Sequence, residues 1–381
     1  MPAFRKIVFH GLVGPSKKLD YPEKNCFTVV VQPFAIVIVH KRFLTKGNTM
    51  KDARSNTNSL GSWAVDWNVS RRDFLKVSAG SLAGLTLGPI CSCKNGAWLS
   101  GSTRRQTARF GIVTDVHYAD RDTSGSRYYR DSTAKLTECV DLMNTQELDF
   151  IIELGDFKDL GQGSSCESQT LSFMAHIEKI FQRFNGPTYH VLGNHDMDCL
   201  SKAQFLAAVE NTGIGSDRRY YSFDINGLHF VVLDANYFFD GTDYIEYDHN
   251  NSNYQNTWIL PAQLDWLRQD LKAAGGPTIV FIHQLLDGKD LVHVNNSADV
   301  RQVLQASGKV LASFQGHHHT GDYHQIEGIH YYTLKAMVEG AGPESNSYGV
   351  VEVHRDCNIT VTGYCKAVSK QLAAAAAMNC V

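Results

Sequence analysis

Five short apolar runs in this chain each end in a residue able to hold a metal ion or move a proton. Residues 110–113 lead into Asp115 and His117, 150–154 into Gly155-Asp156, and 188–192 into Gly193-Asn194-His195-Asp196. Further on, 278–282 lead into His283 and 310–315 into Gly316-His317-His318-His319. Short apolar runs bounded in this way read as buried strands. The strand ends would therefore deliver Asp115, His117, Asp156, Asn194, His283, His317 and His319 to one rim. A single His or Asp behind a strand is more often a turn residue or a satisfied polar group; the ordered set is what points to a site. Carboxylate, imidazole and amide donors together suit Mn²⁺, Fe²⁺ or Zn²⁺, and a Cys-free set argues against a soft-metal site.

The elements that must position these residues follow from periodicity. Residues 126–144 carry Leu136, Val140 and Met143 at helical spacing, and a second helix is expected over 167–184, so the first half reads β-α-β-α-β. That order favours parallel strands with helices packed outside. From Tyr220 the pattern changes: two strand-like runs flank Asn226-Gly227, a strong hairpin signal. Pro261 opens a helix that Gly275-Gly276-Pro277 ends. The expected architecture is α/β, with two mixed β-sheets packed as a sandwich and helices on both outer faces. Residues 236–258, rich in Tyr, Phe, Asp and Asn, lack a clear element and read either as a substrate loop or as a surface insertion.

With 381 residues, 43% hydrophobic and 20% charged, the chain can bury a substantial core. The formal net charge of −3 conceals an asymmetry. Residues 101–381 hold 22 Lys/Arg against 34 Asp/Glu, a formal −12, which argues against a nucleic-acid-binding surface. Residues 1–69 are basic and read as a leader, with translation expected to start at Met50. Ser70-Arg71-Arg72-Asp73-Phe74-Leu75-Lys76 resembles a twin-arginine export signal, so residues 70–100 read as a signal peptide and 104–381 as the folded domain. The expected partner during export is the twin-arginine translocase, with a periplasmic or extracellular destination. Cys93 lies in a weak lipoprotein-like box. None of the nine Cys is spaced as a zinc knuckle, and Cys357 with Cys365 could bridge adjacent strands.

Asp-x-His, Gly-Asp, Gly-Asn-His-Asp, a lone His and Gly-His-x-His, each behind an apolar run, resemble the calcineurin-like metallophosphoesterase family in all five of its blocks, from Arg109 to about Asp322. The resemblance implies a four-layer fold and a centre of two divalent or trivalent ions (Mn, Fe or Zn). It makes Asp156 the shared ligand, places Asp115, His117 and His319 on one ion, and Asn194, His283 and His317 on the other. A bridging hydroxide would then attack the phosphorus. His195 would stabilise the transition state or protonate the leaving oxygen, with Asp196 either orienting its ring or capping the loop. Tyr118-Ala119-Asp120 with Arg127-Tyr128-Tyr129-Arg130 looks like the manganese-dependent ADP-ribose/CDP-alcohol diphosphatase branch, and makes Arg127 and Arg130 substrate candidates. The chain departs from that branch at His117, where the branch tends to have Gln. These residues read as an exported hydrolase of phosphate diesters or anhydrides, of nucleotide type. Two other readings compete: a broad phosphomonoesterase and a non-catalytic binding module on the same scaffold.

Overall fold

The structure, a computed structural model, describes residues 27–32, 35–40 and 106–375 apart from 250 and 252. The chain divides into two units, residues 1–96 and 97–381. In the first, β1 (Phe27–Gln32) and β2 (Ala35–His40) form an antiparallel pair. Arg71, Arg72, Met50 and Cys93 lie outside the described residues.

The second unit opens with β3 (Gln106–Val113), α1 (Ser132–Met143), β4 (Phe150–Glu153), α2 (Cys166–Phe181), β5 (Thr188–His190) and α3 (Lys202–Ala208). Two antiparallel pairs come next, β6 (Tyr221–Ile225) with β7 (Leu228–Val232), and β8 (Tyr237–Phe239) with β9 (Tyr244–Glu246). Then come α4 (Pro261–Ala273), β10 (Thr278–Phe281), α5 (Ser297–Ser307) and β11 (Val310–Gln315). The last strands are β12 (Asp322–Ile326), β13 (Ile329–Thr333), β14 (Ser347–His354), β15 (Ile359–Cys365) and β16 (Lys370–Leu372).

Two six-stranded mixed sheets result, ordered β16-β15-β14-β3-β4-β5 and β12-β13-β11-β10-β7-β6. In the first sheet β3, β4 and β5 are parallel; in the second β7, β10, β11 and β13 are. Strands covered on both faces must be apolar throughout, and β4, β7, β10 and β11 are buried at every residue. Alternation then assigns the faces: Phe110, Ile112, Phe150 and Ile152 point into the sandwich, whereas Val113 and Ile151 point out to the helices. Between the sheets Phe110 stacks on Phe150 at 4.9 Å and meets Phe230, Phe281 and Phe314 edge-on at 5.6–5.9 Å. Leu136, Val140 and Met143 of α1 and Met174, Ile177 and Phe181 of α2 cover one outer face. Leu264, Leu267 and Leu271 of α4 with Val300 and Leu304 of α5 cover the other. The four-layer order expected from the sequence is the one observed.

Asn226 (φ 53°) and Gly227 (φ 82°) form the expected hairpin turn. The first helix begins at Ser132 and not near residue 126, because Arg127 is bridged in extended backbone to Ser124 and Glu339. Residues 236–258 are not a bare loop. They hold the β8–β9 pair, bridge Asp248 to Ser201, and bury Tyr247 completely. Among the described residues no helix is long and apolar enough to cross a membrane.

Candidate metal centre

The parallel strands of both sheets end on the same side, and the loops that follow carry the chemistry, as is general for open α/β sheets. These loops are tightly wound: Asp115, His117, Asp156 and His317 all have positive φ, between 45° and 66°. Non-glycine residues adopt that conformation uncommonly, Asp, Asn and His most often, in tight turns and at functional sites. Two glycines let the loops close. A Cβ at Gly193 would lie 2.1 Å from the Asp156 amide nitrogen, and one at Gly316 would lie 2.1 Å from Thr114 Oγ1 and 3.0 Å from Asp115 Oδ2.

Ligand atoms gather in two groups that share no residue, Asp115 with His117 and His319, and Asp156 with His283 and His317, while His117 and Asp156 form a third group with His195; within each group they lie no more than 4.8 Å apart. Asp156 Oδ2 is 3.4 Å from His117 Nε2 and 3.2 Å from His283 Nε2, so one carboxylate oxygen reaches both groups. The other ring nitrogens are already engaged: His117 Nδ1 with Asp159 at 3.3 Å, His283 Nδ1 with the Leu154 carbonyl at 2.9 Å, and His319 Nδ1 with Glu339 at 2.6 Å. Such partners fix the tautomer and leave Nε2 as the donor toward a metal. Asp115 is held likewise, Oδ2 accepting from the Thr114 hydroxyl at 2.8 Å and the His317 amide at 3.1 Å.

What remains is a set of lone pairs with nothing to bind. Asp115 Oδ1, His117 Nε2, Asn194 Oδ1, His283 Nε2 and His317 Nε2 are buried without a hydrogen-bond partner. Buried polar atoms are rarely left so, and five of them in one cluster fit a pair of cations. Burial alone would raise the Asp115 and Asp156 carboxyls, but neighbouring imidazoles hold both well below the usual carboxylate range. Burial and the adjacent His283 push the His317 imidazole down to about 3, so it stays neutral and able to donate.

A family model for calcineurin-like phosphoesterases matches residues 108–348. The chain belongs to the calcineurin-like phosphoesterase family. Its relatives include the manganese-dependent ADP-ribose/CDP-alcohol diphosphatases of Oryza sativa subsp. japonica, 28% identical over 68% of this chain and 92% of that protein. The human protein of the same name is 24% identical over 68% of this chain and 90% of its own length. A dimetal phosphatase from Danio rerio shares the fold, with a TM-score of 0.61 at 20% identity, covering 71% of this chain and all of that one. The protein is a metal-dependent hydrolase of phosphoric ester or anhydride bonds, and its cofactor is a pair of metal ions.

Around this calcineurin-like centre, several side chains take places other than those the sequence suggested. Asp196 does not orient His195. It accepts backbone N–H groups of Asp156, Phe157 and Gly193 at 3.0, 2.9 and 2.8 Å, and so ties the loop after β4 to the loop after β5. The carboxylate on the His195 ring is Asp198, 2.6 Å from Nδ1, because the single 3₁₀ turn His195–Met197 brings position i+3 alongside. Arg130 is turned to Asp120 and Asp122 at 2.6 and 2.7 Å, so its charge is already matched. In its place Arg121 reaches Asp159 Oδ1 at 3.0 Å, and Arg127 lies 3.9 Å from Asp159 Oδ2, the carboxylate that holds His117.

Glu339, Asp159, Asp198 and Arg121 escaped sequence reasoning. Asp159 and Asp198 had a local signal, each lying three residues beyond a candidate site residue, Asp156 and His195. His318 belongs to neither ligand group and pairs with Thr320. His176 stacks on Tyr118, and His190 is buried between Glu153 and Glu178. His293 and His324 share Asp287, whose Oδ1 accepts from Gln315. The Cys357–Cys365 bridge that the sequence allowed is not formed: Cys357 is disulfide-bonded, but Cys365 is a free, exposed thiol. Cys166 instead bridges to Cys199, with Cα atoms 5.7 Å apart.

Proposed function

We propose that this enzyme hydrolyses nucleotide-type phosphate diesters or anhydrides, ADP-ribose-like diphosphates among them, with manganese at its metal centre and after export by the Arg71-Arg72 signal. The observation that carries the substrate reading is the pair of guanidinium groups, Arg121 and Arg127, converging on Asp159 beside His117. Planar guanidiniums suit the second phosphate group of an anhydride, which a simple monoester or diester does not offer them. The names of the plant and animal relatives support the same class and the same metal.

Asp115, His117, Asp156, Asn194, His283, His317 and His319 would hold the ions. When bound, these supply Lewis-acid charge to the phosphoryl oxygens and lower the pKa of the attacking water. The protein does the rest. Asp196 and Lys158 lock the two loops that carry Asp156 and His195, Lys158 Nζ donating to the carbonyls of His195 and Asp198 at 2.5 and 2.8 Å. A ring nitrogen of His195 lies within 4.8 Å of the Asp156 and His117 ligand atoms, which supports reading His195 as the proton donor to the departing oxygen.

A Mn²⁺-supplemented comparison of ADP-ribose, CDP-alcohols, cyclic nucleotides, bis-p-nitrophenyl phosphate and p-nitrophenyl phosphate by kcat/KM tests this. The diphosphates should lead. Arg127→Ala should lower their kcat/KM by about 10–100-fold, the loss of one charge-assisted contact, while sparing p-nitrophenyl phosphate. A ranking led by p-nitrophenyl phosphate and indifferent to Arg121 and Arg127 would make the enzyme a broad phosphomonoesterase.

A further inference from the structure

The loop that carries His195 is fastened at more points than a surface turn requires. Its backbone N–H donates to Asp156 Oδ1 at 2.7 Å, its ring Nδ1 meets Asp198 Oδ2 at 2.6 Å, and the Asp198 N–H closes the turn onto the His195 carbonyl at 3.0 Å. Lys158, fully buried, holds both carbonyls from beneath. The next residue, Cys199, has a positive φ of 62° and is tied through its sulfur to Cys166, the first residue of α2. Asp198 therefore sits between a reactive ring and a covalent staple.

We propose that Asp198 is the positioning residue for His195, and that the Cys166–Cys199 disulfide holds Asp198 in register, so that turnover depends on the disulfide while metal binding does not. The inference rests on the reading of His195 as the donor to the leaving oxygen. In that step the P–O bond breaks, its electron pair stays on the departing oxygen, and that oxygen takes the proton from His195; the attacking water gives up a proton to solvent, from which the ring is recharged. A carboxylate on Nδ1 keeps Nε2 as the nitrogen that faces the cluster and stabilises the charged ring before transfer. If the staple is opened, the Asp198 carboxylate gains freedom and the ring loses its preferred direction, and misplacements of about 1 Å are known to cost about 10²-fold.

The test uses the manganese-loaded full chain and two esters of one phosphoryl group, p-nitrophenyl and phenyl, because a proton donor matters more as the leaving oxygen becomes more basic. His195→Ala is the reference and should lower kcat by about 10²-fold on the phenyl ester and less on the p-nitrophenyl ester. Asp198→Ala should show the same bias with a loss of about 10-fold or more, with KM and metal content unchanged and part of the rate restored in Asp198→Glu. Cys166→Ser with Cys199→Ser should lose several-fold with the same bias; if that pair does not fold, Cys166→Ala with Cys199→Ala carries this arm. Wild-type kcat in Asp198→Ala beside a damaged His195→Ala would overturn the proposal and leave the role of His195 intact. Equal losses on both esters, or loss of metal, would overturn it in favour of a structural role. Full activity in His195→Ala would overturn the underlying reading as well.

Discussion

Replacing Glu339 by Gln should weaken one half of the metal centre and spare the other. Glu339 Oε1 is 2.6 Å from His319 Nδ1, and its side chain is only 20% exposed. The hydrogen bond and charge of His319 pull the Glu339 carboxyl down to about 2, so it is ionised at any working pH. Its negative charge makes His319 a better donor and fixes Nε2 toward Asp115, 3.2 Å away. The amide keeps the shape and can still accept a hydrogen bond, but the charge is gone. Loss of such an outer partner typically costs 10–100-fold in metal affinity, about 1.4–2.7 kcal/mol. Only the ion held by Asp115, His117 and His319 should feel it, because His283 takes its outer bond from the Leu154 carbonyl. The assay is a Mn²⁺ titration of metal-stripped enzyme, followed by calorimetry and by activity. The wild type and the variant should share one binding phase and differ in the other by that factor. Superimposable titrations would refute the reasoning, and so would an equal shift of both phases.

Stability should fall as pH rises from about 6.5 to 9. The carboxylates of Glu178 and Glu153 outweigh the burial of His190 and raise its pKa to about 9, so the native state binds a proton that the unfolded chain has released across that window. The contribution is complete below the unfolded pKa and is lost through the native one; it is on the order of 3 kcal/mol. Thermal melts should flatten over this range in Glu178→Gln, and an unchanged slope would contradict the assignment. For export, Arg71→Lys with Arg72→Lys should leave the protein in the cytoplasm, as read by fractionation, and unimpaired appearance outside the inner membrane would defeat that reading.

The seven candidate ligand positions could be picked out because each lies in the loop that follows an apolar run, and parallel strands bring such loops to one edge. The four layers were legible for a similar reason: β-α-β order and the spacing of Leu136, Val140 and Met143 leave few alternatives. Contacts made across the fold were not. Glu339 reaches His319 only because β12 and β13 return the chain to the rim, and no local pattern records that return. Asp196 and Asp198 are equal candidates on paper, and the tightness of one 3₁₀ turn decides between them. The pairing of Cys166 with Cys199 likewise depends on how α2 docks beside the His195 loop. The late start of the first helix was not legible either, because it depends on the long-range bridge from Arg127 to Glu339.

The account stands on Asp156 as the ligand shared by two ions, with His195 beside them and bound to neither. Elemental analysis of purified protein loaded with Mn²⁺ tests this most directly. Two ions per chain are expected in the wild type and in His195→Ala, with kcat in the latter lower by about 10²-fold, and neither ion in Asp156→Asn. Retention of two ions by Asp156→Asn, or their loss from His195→Ala, would contradict it.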